Sequence, residues 1–96
     1  MQRKVFIKYL FNIINSFNIS VDDFFKKTKD REIVEARHIF YWLCYNDGKL
    51  KISVIVRMMK DYGYNIGHSS VIYGINTIDE TEDNYQLTIK ENLCSV

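Results

Sequence analysis

Residues 63–80 read GYNIGHSSVIYGINTIDE, and this stretch decides how the chain is read. With about 100° per residue, Val71, Ile75 and Ile78 share one stripe, with Ile72 at its flank. Ser69, Tyr73, Asn76 and Glu80 point the opposite way. The spacing predicts a helix over 68–81 that buries one face and shows the other to water or a ligand. Gly67, Ser69 and Ser70 stand where this helix begins. Small side chains there leave room for another molecule to come close.

The preceding segment, KLKISVIVRMMKDYGY at 49–64, has two readings. KISVIV alone suits a strand by β-branching. Ile52, Ile55, Val56, Met59 and Tyr62 nevertheless keep helical spacing, and Gly63 follows as a stop. The helical reading makes residues 52–81 a helix–turn–helix candidate. In that motif the second helix enters the DNA major groove and its first residues meet base edges. A plain helical hairpin in a bundle has the same signature.

Upstream, Val5, Phe6, Tyr9, Leu10, Ile13, Ile14 and Phe17 recur at helical steps and define a first helix. Lys4, Lys8, Asn12 and Asn15 take its other side. Ser20 is a cap for a short second helix over Val21 to Lys27, with Asp23 three residues on and Ile19 and Phe24 as a hydrophobic staple. Asp30 is a cap for a third helix, Arg31 to Asn46, with Glu32 at its positive end. Its core face is Ile33, Ala36, Phe40, Leu43 and Cys44, widened by Ile39 and Trp42, and Gly48 supplies its stop. Tyr85, Ile89 and Leu93, spaced by four, predict a sixth helix that packs back. The expected fold class is all-α, one compact bundle of five to six helices over residues 1–96.

A chain of 96 residues needs large core side chains, and 47% of its residues are hydrophobic and 15% aromatic. No run approaches the roughly 18 apolar residues of a membrane span. The N-terminal stretch is interrupted by Lys8, Asn12 and Asn15 and lacks a small-residue cleavage site, so no signal peptide is expected. Two cysteines, Cys44 and Cys94, read as reduced thiols of a cytoplasmic protein. With two lone histidines they make no zinc set, and no cofactor is expected. Residues 1–60 hold twelve Lys/Arg against six Asp/Glu; residues 61–96 hold one against six. The basic part suits a polyanion; two ordinary solvated faces would show the same asymmetry. Catalysis is not expected: His68, Ser69 and Ser70 are chain neighbours, whereas a Ser–His pair needs facing side chains.

REIVEARHIFYWL at 31–43, followed some thirty residues later by GHSSVIYGINTIDE, resembles the C-terminal DNA-binding domain of the bacterial replication initiator DnaA. The resemblance covers about residues 10–93. It implies a helical bundle with a Trp-repressor-like helix–turn–helix that binds a short double-stranded box through both grooves. It also implies a link to replication initiation or its regulation. No Gly-rich Lys-Ser/Thr loop is present, so no nucleotide is expected.

By that resemblance His68, Ser69 and Ser70 face the major groove, with Tyr73 and Asn76 further along the same helix. A serine hydroxyl can serve either base or phosphate. Helix capping is the competing reading for the serines, and a turn hydrogen bond for the histidine. Lys29 falls where the family has a minor-groove arginine; an ordinary loop lysine is the alternative. Arg37 and His38 match an Arg-Gln pair that approaches DNA, against a salt bridge from Arg37 to nearby acid. Lys26, Lys27, Arg31, Lys49 and Lys51 are phosphate candidates by charge and placement. Ile66-Gly67 replaces the family's Arg-Asp, so an aspartate able to accept from a base amine is absent. Asn76, Thr77 and Asp79 stand where basic residues are usual in the family. The expectation is sequence-specific double-stranded DNA binding. The alternative is a protein-interaction or dimerisation module, with self-association through a surface around Tyr41, Trp42 and Tyr45.

Overall fold

A computed structural model describes residues 2–26 and 30–80. These form α1 (Gln2–Phe17), α2 (Val21–Phe24), α3 (Arg31–Trp42), a π-helical turn (Leu43–Asp47), α4 (Ile52–Asp61) and α5 (His68–Asp79). The described residues fold as helices joined by turns, and 52–56 is helix rather than strand. The expected sixth helix lies outside them.

The stop signals act locally. Asn18 takes φ 54° after α1, while its N–H bonds Asn15 O at 3.3 Å and that of Ile19 bonds Ile14 O at 3.0 Å. Gly63 takes φ 88° after α4, with N–H bonds from Gly63 to Lys60 O and from Tyr64 to Met59 O, both 2.9 Å. Both are Schellman closures, in which a left-handed residue lets the last carbonyls be satisfied. The starts are equally local. Ser20 Oγ accepts from Asp23 N at 3.0 Å, and Asp30 Oδ1 accepts from Glu32 N at 3.0 Å.

Two helices are shorter than their periodicity predicts. α2 stops at Phe24 because the carbonyls of Phe24 and Lys26 accept from the Arg37 guanidinium, at 2.9 and 2.8 Å. α3 gives way after Trp42 to the wider turn, in which Gly48 N–H reaches Leu43 O and Leu50 N–H reaches Cys44 O. The Tyr9 hydroxyl donates to Asp47 Oδ2 and ties this turn to α1. Gly48 is not the left-handed stop; Lys49, at φ 58°, is. Glycine is needed at 48 for space, since a Cβ there would lie 2.7 Å from Val5 Cγ1 and 2.9 Å from Cys44 O.

The core is built on α1, α3 and α5. Phe6 and Phe40 meet edge to face at 4.9 Å, as do Phe24 and Phe40 at 5.3 Å. Tyr62, just past α4, stacks on Phe25 at 5.0 Å and on Phe6 at 5.7 Å. These ring contacts lock the end of α4, and so the start of the turn that leads to α5. Ile39 is fully buried, as befits a central helix, whereas Ile33 is only partly buried.

Candidate nucleic-acid interface

α4, the turn at 62–67 and α5 form the helix–turn–helix. On α5, Val71, Gly74, Ile75 and Ile78 are buried against the bundle. His68, Ser69, Ser70, Tyr73 and Asn76 are exposed, and Tyr73 retains 66% of its surface. Ile72 is 42% exposed rather than part of the buried flank, because it lies about 100° around from Val71. The helix packs chiefly on α3 and then on α4. Gly74 sets the distance: a Cβ there would meet His38 Cδ2 at 2.8 Å and Tyr41 Cδ2 at 2.9 Å.

No side chain among the described residues caps the start of α5. Gly67 is its N-cap, with ordinary extended angles (φ −95°, ψ 170°) and open space where a Cβ would stand. Ser69 and Ser70 are therefore not the caps that the competing reading required. The Thr77 hydroxyl donates to Tyr73 O at 2.7 Å, so it is occupied within the helix. Asp79 accepts from the Trp42 indole N–H at 2.6 Å, which ties the end of α5 to α3.

The basic residues separate into different settings. Lys49 and Lys51 are exposed just before α4. Neighbouring Ile52 lines a shallow groove with Ile72 and Asn76, so this pair sits beside the outer face of α5. Arg31 is exposed and bonds Glu35 Oε1 at 3.2 Å, an i,i+4 pair worth little in water. Lys26 is exposed; Lys27 and Lys29 lie outside the described residues.

Arg37 departs from the expectation. It is 5% exposed and does not present its guanidinium at the surface. Besides the carbonyls of Phe24 and Lys26 it donates to the Tyr64 hydroxyl at 2.5 Å, with its guanidinium carbon 4.7 Å from the Tyr64 ring centre. The competing reading, a salt bridge from Arg37 to nearby acid, is not met among the described residues either. The physical reason is reach: from α3 the planar fork spans to the last residue of α2 and the chain just after it on one side and to the turn before α5 on the other.

His38 is half-buried, with its ring edge-on to Tyr73 at 5.7 Å. Burial, and next the Arg37 charge, hold its pKa below the ordinary histidine value, so it is neutral at pH 7. Arg37, His38, Ser70 and Tyr73 thus meet around one cavity, with Tyr64 and Ile66 of the turn as further members. Periodicity did not signal these two, because turn residues carry none. The aromatic surface expected for self-association is not continuous. Tyr41 is 3% exposed, and burial pushes its phenol pKa above the usual range; Trp42 is half-buried and only Tyr45 is open.

No group of three His, Cys, Asp or Glu among the described residues is placed to hold a metal ion, and no helix among them is long and apolar enough to cross a membrane. No curated protein and no solved structure matches the chain. The family model described as the bacterial DnaA protein helix–turn–helix matches residues 10–78, most of the chain and all but the last residue of α5. The chain belongs to the bacterial DnaA helix–turn–helix family, a family of DNA-binding domains.

Proposed function

We propose that this domain binds double-stranded DNA sequence-specifically, with α5 in the major groove. The observation that carries this reading is the exposed run His68, Ser69, Ser70 at the start of α5, uncapped by any side chain among the described residues and held on α3 by the close approach at Gly74. Tyr73 and Asn76 extend the same face along the groove. Ser69 and Ser70 hydroxyls donate to or accept from base edges, and the imidazole of His68 does the same. Lys49 and Lys51 lie to one side of α5 and meet phosphates of one strand. Arg31 and Lys26, both exposed, meet further phosphates, and by the resemblance to the family Lys29 contacts the adjacent minor groove. His38 borders the groove behind Tyr73. Arg37 is a positioning residue in this scheme, joining the loop after α2 to the turn before α5. The cellular setting inferred from the family is replication initiation or its regulation, in the cytoplasm.

A second reading, a protein-interaction module, has one observation in its favour. Ile72 and Tyr45, 42% and 43% exposed, border an apolar groove with Ile52 and Ile75. Binding to a DnaA-box duplex and to a random duplex at two salt concentrations separates the readings. Each phosphate contact should add roughly 0.9 to the slope of log affinity against log salt. Ser69→Glu with Ser70→Glu should abolish binding while leaving the fold intact, since acids suit a helix N-terminus. Affinity that survives the pair would remove α5 from the groove; no binding to either duplex at low salt would favour the interaction module.

A further inference from the structure

We propose that the cavity between α3, Tyr64 and α5 is a binding site for a small aromatic carboxylate. The cavity measures about 200 Å³, room for roughly six waters at about 30 Å³ each and less than a drug-sized ligand fills. Among the described residues its walls hold one charged side chain, Arg37, which is 5% exposed. Three of the five guanidinium N–H bonds go to neutral oxygens of Phe24, Lys26 and Tyr64. Among the described residues the ion pairs are Arg3–Asp61 and Arg31–Glu35, so no carboxylate there balances Arg37.

A buried cation whose acceptors among the described residues are all neutral attracts an anion strongly, because little water screens it. The Tyr64 hydroxyl accepts from Arg37 and keeps its own proton to donate. A carboxylate seated there takes an Nη–H from Arg37 and the O–H of Tyr64, and the Ser70 hydroxyl stands at the same cavity. The remainder of the lining favours a flat ring. Tyr41, Tyr64 and Tyr73 supply aromatic faces and edges, and Val34 and Ile66 supply apolar wall. His38, neutral at pH 7, leaves Arg37 as the cation at this cavity among the described residues.

The site does not rest on the DNA reading, because its occupancy is read on the protein alone. The probe is indole-3-acetate, titrated into the full chain while Tyr and His ring protons are followed by NMR. Indole-3-acetamide, of the same shape but neutral, is the control. The acid should shift the Tyr64, Tyr73 and His38 signals saturably, with the amide at least roughly tenfold weaker. Val34→Phe, checked for folding by circular dichroism, should fill the cavity and abolish the shifts. Tyr64→Phe adds no volume and should weaken the acid roughly threefold or more and the amide less, since a hydrogen bond to a carboxylate is stronger than one to a neutral carbonyl. No saturable shift up to about 10 mM acid, equal affinities of acid and amide, or full acid affinity in either folded variant would overturn the proposal.

Discussion

Gly74 of α5 faces the His38 ring of α3 so closely that a Cβ at 74 would stand 2.8 Å from His38 Cδ2. The buried Tyr41 ring blocks the neighbouring direction at 2.9 Å. Gly74 is therefore present for space within a helix, where glycine otherwise costs up to about 1 kcal/mol against alanine. Gly74→Val should destabilise the domain by about 1–3 kcal/mol through overpacking. It should also lift α5 away from α3 and lower duplex affinity. Urea unfolding and a binding isotherm check both; unchanged values in both would mean that α3 and α5 do not pack as described.

Arg37 bonds three oxygens contributed by two separate stretches of chain. Arg37→Met leaves the Phe24 and Lys26 carbonyls without these donors and should cost about 3 kcal/mol. Arg37→Lys should recover little, because an ammonium lacks the planar fork. Chemical denaturation measures this. If Arg37→Lys instead keeps full stability and loses salt dependence of DNA binding, the guanidinium serves phosphate and not the fold.

Gly67 does not have a left-handed backbone, and no described residue lies within 4 Å of its Cβ position. Gly67→Asp therefore fits without strain. It supplies a cap and a negative charge at the start of α5, and should raise stability by a few tenths of a kcal/mol. It also restores the acidic acceptor usual in the family, so base preference should move toward a position offering a cytosine amine. Thermal melts and a panel of single-base box variants test the two effects separately.

His38 makes stability depend on pH. Its folded pKa lies below the unfolded value of about 6.5, so the unfolded chain binds more protons between the two. This contribution to stability is complete above about pH 6.5 and is lost as pH falls toward the folded pKa. The Arg37 charge beside the ring deepens the effect and Glu35 opposes it. His38→Gln should flatten that part of the profile. Melting temperatures at pH 7.5 and 5.5 for both proteins measure it; identical differences would show that His38 does not titrate in this range.

What the sequence by itself determined is what depends on near neighbours. The five described helices, the Ser20 and Asp30 caps and the Gly63 stop each rest on contacts within a few residues. The outward face Ser69–Tyr73–Asn76 follows from helical period alone. Tertiary structure decided what depends on distant partners. Arg37 is buried because its acceptors lie 13, 11 and 27 residues away, and no local pattern announces such a meeting. The break after Trp42 is accompanied by Tyr9, 38 residues from its partner Asp47. Gly48 reads in sequence as a stop, and helical period gives Gly74 no role. In the fold each is a gap into which another helix presses, because only packing reveals which side of a residue has no room.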